Sequence, residues 1–249
     1  MKNFRFLAGT LPISLCIVIA GAWTALAGVL EPPAGPVGPT MNSLEEIHDL
    51  MAALAAGLEA RTPVQSLPGS ASAVHVIDEP GSYYLTANVI GQSGQHGIFI
   101  ASPNVTLDLN GFALIGVPSS LDGILANVSG NKNIVITNGT IHGWGGIGVH
   151  TQQARNCRLE NLQASDNGGH GLHIGDNSTV IGCISQNNGG IGIFAATGGA
   201  IGSTISNCMV QGNAGGINAA KSLIRGNTAT GNGVNIAGGN ATIIDNHAP

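Results

Sequence analysis

GIFI (Gly97–Ile100), GILA (Gly123–Ala126), GIGV (Gly146–Val149), GLHI (Gly171–Ile174), GIGI (Gly190–Ile193), GINA (Gly216–Ala219) and GVNI (Gly233–Ile236) are seven forms of one unit. Each is a glycine, a branched aliphatic, a variable residue and an apolar one. A short polar gap follows, then a Val/Ile-rich run, then an Asn/Gly-rich corner. Counted from glycine to glycine, the units lie 26, 23, 25, 19, 26 and 17 residues apart. Self-similarity at such a period is the signature of a solenoid, in which each repeat buries its apolar face only against its neighbours. Strict hexapeptides and Asp-bearing nonapeptides, the marks of other β-solenoids, are missing. The loose spacing fits a right-handed parallel β-helix with three sheets, whose corners accept insertions.

Within a unit the second and fourth residues share a face, because side chains alternate along a strand. They are expected to stack inside as an Ile/Val ladder. The variable third residue then points out, which assigns Phe99, Leu125, Gly148, His173, Gly192, Asn218 and Asn235 to the outer face. Asn110, Asn138, Asn161 and Asn207 are expected at corners, where Asn tolerates left-handed geometry and stacked amides bond along the axis. The repeat glycines are read as answering the same need for unusual backbone angles.

Around this domain, placed at 74–249, the chain is divided into four segments. Lys2 and Arg5, the apolar run from Leu7 to Ala22 and Ala25-Leu26-Ala27 form a signal peptide over 1–27, cut after Ala27. Residues 28–40 are a Pro/Gly linker. Ser43 and Glu46 make a capping box for an amphipathic helix over 41–60, with Leu44, Ile47, Met51, Leu54 and Leu58 at heptad spacing. That stripe suits either a lid on the first rung or pairing between copies of the chain. Residues 61–73 read as a second linker. The fold class is therefore all-β, a parallel β-helix of about seven rungs preceded by a short helix.

Composition narrows the partners. Only 8% of residues are charged, yet 43% are hydrophobic, so the chain can pack a core. Loss of Lys2 and Arg5 with the signal leaves six basic residues against 13 acidic ones. Nucleic acid and anionic membrane are disfavoured, since both reward Lys and Arg. After processing the chain is expected not to be an integral membrane protein. Cys157, Cys183 and Cys208 remain, an odd number for an exported chain. Cys183 and Cys208 fall at equivalent repeat positions, about 4.8 Å apart on stacked rungs. A buried thiol ladder is preferred there, with a disulfide as the alternative.

The chain resembles the right-handed parallel β-helix proteins of the pectin-lyase-like superfamily. It looks closest to exported bacterial members with a Pro-rich N-terminus followed by PGSYYLT (Pro80–Thr86) and LDLNGF (Leu107–Phe112) rungs. The resemblance spans about residues 28–246. It implies the fold, and it implies a group that holds lyases, hydrolases, epimerases and phage tailspikes. None of the superfamily's clustered acidic or basic catalytic residues maps onto this chain. Asp108, Asp122, Glu160, Asp166, Asp176 and Asp245 are scattered over rungs and corners, whereas glycoside hydrolysis normally needs two facing carboxyls.

Histidine is the enriched residue. His142, His150, His170 and His173 fall within about one and a half rungs. His150 and His173 are expected outward, displaced by two residues and so roughly 7–8 Å apart. His170 aligns with His96 and Asp122 in the turn before this sheet. With Trp144 these residues could form a polar-aromatic groove for a sugar; the plainer reading is that exposed turns favour polar residues. No zinc spacing is present, so no metal and no cofactor is expected. Trp144, His150, His170 and His173 are the candidate substrate contacts, and no catalytic residue is assigned.

The resulting expectation is a secreted or cell-surface, non-enzymatic module for attachment or contact with polysaccharide or surface glycan. A polysaccharide lyase or hydrolase acting on an outer sheet is the first alternative. A trimeric fibre joined through residues 44–58 is the second. The apolar last rung, Ala241–Ile244, asks for a cap, supplied by a partner or by further sequence.

Overall fold

A computed structural model describes residues 43–58, 61–195 and 202–249. The expected signal peptide, its cleavage site and the 28–40 linker lie outside the described residues. The chain divides into two compact units between Ala55 and Ala56.

Helix α1 runs Leu44–Leu58. Its capping box forms: the Glu46 amide donates to Ser43 Oγ at 3.1 Å and the Ser43 amide donates to Glu46 Oε2 at 2.8 Å. Glu45 and Glu46 in the first turn also favour the positive end of the helix dipole. Leu44, Ile47, Leu50 and Met51 are exposed. No helix among the described residues is long and apolar enough to cross a membrane.

The rest is an all-β parallel solenoid of about eight turns. One face is an eight-stranded parallel sheet made of Ala73–Ile77, His96–Ile100, Ile124–Leu125, Val149–Thr151, Leu172–Ile174, Ile191–Ala195, Gly215–Ala219 and Ile236–Ala237. The other two faces form one continuous sheet, because Ile134–His142 and Arg158–Ser165 run through the corner between them. The chain turns that corner at left-handed residues: Asn138, Asn161, Gly182, Asn207, Gly226 and Asp245 all have φ between 52° and 62°.

The interior is filled in columns. Ile98, Ile124, Val149, Leu172, Ile193 and Ile217 stack as register partners and are all buried. Each such side chain contributes about 1.5–3 kcal/mol by leaving water. The next column holds Ile100, Ala126, Thr151, Ile174, Ala195 and Ala219, also buried.

This register corrects three units. Val149 pairs with Ile124, Leu172 with Ile193, and Ile217 with Ile236. The true units therefore begin at Gly148, Gly192 and Asn235, two residues later than read from GIGV, GIGI and GVNI. The outer column becomes Val76, Phe99, Leu125, His150, His173, Phe194, Asn218 and Ala237. The repeat glycine has a steric cause and needs no left-handed φ. A Cβ on Gly171 would lie 2.1 Å from Ser185 Oγ, and one on Gly123 2.4 Å from Ile141 Cγ2.

Asn110 and Asn138 bond Leu85 O and Asp108 rather than each other, and Gly182 stands between Asn161 and Asn207, so these four do not form the expected axial ladder. An unbroken ladder lies elsewhere, at the entrance to the eight-stranded sheet. Asn167 Nδ2 donates to Asn188 Oδ1 (2.9 Å), Asn188 to Asn213 (2.9 Å) and Asn213 to Asn232 (3.0 Å).

Residues 61–73, expected as a linker, instead close the solenoid's first turn. Thr62–Pro63 pairs with Tyr83 and Tyr84, Val64–Ser66 is a 3-10 turn, and Val64 is fully buried. Arg61 donates to Asp108 Oδ2 at 2.8 Å and lies 4.6 Å over the Tyr84 ring. Pro63 cannot donate to a further strand, which blunts this edge. Cys157, Cys183 and Cys208 are free thiols and buried. The hydrogen bond with Cys208, together with burial, pushes the Cys183 thiol well up.

Candidate functional site

Five ionisable side chains from four rungs and Phe194 from a fifth meet on the outside of the eight-stranded sheet. His150 and His173 are direct register partners, so the expected two-residue displacement is wrong. Their rings stack 5.3 Å apart at 5°. Phe194 continues the column, 4.7 Å from His173. Three residues before each column position lies a second row: His96, Asp122, Ile147, His170 and Ile191. His170 closes on the stack from this row, edge-on to His173 at 5.2 Å and 4.9 Å from Phe194.

The polar contacts fix the protons. Asp122 Oδ2 accepts from His150 Nδ1 at 3.0 Å, and Oδ1 accepts from the Ile147 amide at 2.7 Å. Burial disfavours the carboxylate, yet these bonds and the nearby imidazoles outweigh it and hold Asp122 below the usual range. With Nδ1–H directed at Asp122, His150 Nε2 faces the Gln152 side chain, 3.5 Å from its Oε1. His96 Nδ1 accepts from the Asp122 amide (3.0 Å) and His170 Nδ1 from the Ile191 amide (2.8 Å). Both therefore carry their proton on Nε2. Burial lowers the pKa of each; His150 adds to this in both cases, while Asp122 opposes it at His96 and the Ile191 amide at His170.

His173 is different. It is 95% buried under its neighbours, since only 5% of its surface is exposed. Neither ring nitrogen has a hydrogen-bond partner. Burial, with His150 and His170 beside it, lowers its pKa to about 3. It backs the site as a neutral ring.

Past Phe194 the outer column shrinks to Asn218 and Ala237, and a 320 Å³ cleft opens. Its walls include His170, Ile191, Asn218, Val234 and Ala237. The arrangement offers aromatic faces, an imidazole N–H and an amide around a mainly apolar hollow, the usual mixture for a small-molecule or sugar subsite.

Of the expected contacts, His150, His170 and His173 come together. Trp144 does not join them. It is 1% exposed, and its ring fills space left by Gly91, Gly97 and Gly123. Its Nε1 donates to Leu114 O at 3.2 Å. These three glycines clear an interior slot that the Trp144 ring occupies. His142 lies in the larger sheet, paired with Ile115 and Ser165. Asp122 as the anchor of His150, and Phe194, were missed. The signal was present: Gly148-Val149-His150 matches Gly171-Leu172-His173, and Gly192-Ile193-Phe194 repeats Gly97-Ile98-Phe99. Among the described residues no group of three His, Cys, Asp or Glu is placed to hold a metal ion.

The family model for the right-handed β-helix region matches residues 72–248. No curated protein and no solved structure gives a significant match.

Proposed function

The chain belongs to the right-handed β-helix family, and we propose that it uses this scaffold as an exported, non-enzymatic glycan-contact protein. The contact surface in this reading is the outer face of the eight-stranded sheet from His150 to Ala237. One observation carries it: the His150–His173–Phe194 stack leads into the 320 Å³ cleft beside His170. Apolar sugar faces stack on aromatic rings, and hydroxyls take hydrogen bonds from fixed N–H groups. His170 Nε2–H and the Asn218 amide supply such groups. Export rests on Lys2, Arg5, the apolar run after them and Ala25-Leu26-Ala27. The test is a glycan array probed with the wild-type chain and with the His170→Ala/Phe194→Ala double variant. Retention by the wild type and loss in a double variant of unchanged circular dichroism is expected. No retained glycan, or equal retention by both, refutes the reading.

The Asp122–His150 hydrogen bond favours a second reading, a lyase-like enzyme in which Asp122 orients His150 as a general base. Turnover of a polysaccharide that His150→Gln abolishes supports it. Absence of turnover across a broad panel rules it out.

A further inference from the structure

A second hollow, of 440 Å³, shares no lining residue with the cleft beside His170. It is lined by Asn131, Lys132, Asn133, Gln153, Arg155 and Asn156, among others. Lys132 and Arg155 are parallel bridge partners. Two cationic side chains therefore start from adjacent rungs, about 4.8 Å apart. The setting makes this pairing unusual. The whole chain has eight basic residues against 13 acidic ones, and like charges side by side repel. Lys132 has no ion pair among the described residues. Arg155 reaches one carboxylate, Asp176, and only at 4.0 Å, with 73% of its side chain exposed. The hollow keeps a net positive charge after Asp176 is counted.

Amide donors line the same place. Asn133 Nδ2 donates to Asn104 Oδ1 at 2.7 Å, and Asn156 Nδ2 donates to Asn133 Oδ1 at 2.6 Å. All three residues sit at positive φ, between 55° and 58°. This ladder uses one N–H of each donating amide and leaves the other.

We propose that this hollow is a binding site for one oxyanion group, clamped between Lys132 and Arg155. A guanidinium matches two oxygens of a carboxylate or of a sulfate or phosphate ester, and an ammonium adds a point charge. The shared chemistry is the oxyanion, and the proposal is independent of the histidine face. The test is calorimetric titration of the full chain at low ionic strength with sodium sulfate, sodium phosphate and sodium glucuronate. Sodium nitrate serves as the control for bulk ionic strength. Saturable binding of at least one oxyanion, above the nitrate response, is expected. Lys132→Gln and Arg155→Gln should each weaken it on the order of tenfold, the scale of a lost charge-assisted bond. Arg155→Lys should retain part. Both side chains are exposed, so the urea midpoints should not move, and an unmoved midpoint shows that the variants fold. The arm that saturates tells tetrahedral oxyanion from carboxylate. No saturation by any of the three, or equal affinity in the double Gln variant, overturns the site.

Discussion

Replacing His173 by Phe should stabilise the protein, and more so in acid than in base. His173 sits neutral in the folded chain, its pKa lowered to about 3 from an ordinary 6.5, mainly by burial. In the unfolded chain the same ring takes up a proton below pH 6.5. Between those two values the unfolded state holds more protons, so stability falls as pH falls. Each pH unit is worth about 1.4 kcal/mol, and going from pH 8 to pH 5 therefore costs the wild type about 2 kcal/mol through this residue. A second contribution acts at all pH values. Both ring nitrogens are buried without partners, and an unmet polar group costs about 1–3 kcal/mol. Phe removes both penalties and fits the column, where Phe99 and Phe194 already stand. His96 and His170, also lowered by burial, are present in both proteins and cancel in the difference. Asp122, held low, loses its contribution only at more acid pH.

The assay is equilibrium urea unfolding followed by circular dichroism at pH 8 and pH 5. His173→Phe should exceed the wild type by about 1–3 kcal/mol at pH 8 and gain about 2 kcal/mol more at pH 5. His173→Leu, which has no aromatic ring, should show the same flattening with pH. An equal fall in stability of wild type and variants between pH 8 and pH 5 would refute the buried neutral imidazole. Loss of stability in both variants at pH 8 would refute the unmet nitrogens. If glycan retention survives in His173→Phe, the ring only backs the contact surface formed by His150, His170 and Phe194. If retention is lost while stability rises, the strain is kept for function.

Trp144→Ala should cost about 3–5 kcal/mol, the scale for emptying a buried aromatic slot, read as a drop in urea midpoint with glycan retention tested on the folded fraction. Gly171→Ala places a methyl 2.1 Å from Ser185 Oγ and 2.7 Å from Gly192 O; a loss of about 1–3 kcal/mol is expected by the same measurement. Asn188→Ala breaks the bonds to Asn167, Asn213 and Ala164 O and strands buried groups, so about 3 kcal/mol should be lost, with faster amide exchange at Asn167. Sedimentation of the chain with and without residues 44–58 tests self-association through the exposed Leu44, Ile47 and Met51 stripe; the same number of chains per particle in both excludes it.

How much of this was legible in the sequence follows from what a repeat can encode. The columns are set by one-dimensional stacking, so Gly-Ile-x-apolar was enough to give parallel strands, an aliphatic interior and the αL corners at Asn138, Asn161 and Asn207. Register was harder. GIGV and GIGI each contain two glycines that could start the unit, and the choice depends on which following residue pairs with the neighbouring rung. Val149 pairs with Ile124 and Ile193 with Leu172, contacts between residues some 20 apart in sequence, while all four glycines are closely packed. A two-residue slip keeps every side chain on its proper face, so hydrophobic patterning could not reject it; only the third-residue identities His/His and Phe/Phe could. That slip hid the direct His150–His173 pairing and Phe194, because it put Gly148 and Gly192 where His150 and Phe194 stand. The Asp122–His150 bond and the Lys132–Arg155 pair belong to the same class. Each joins adjacent rungs across 23 to 28 residues, and becomes readable once the glycine column is aligned at 97, 123, 148, 171, 192 and 216.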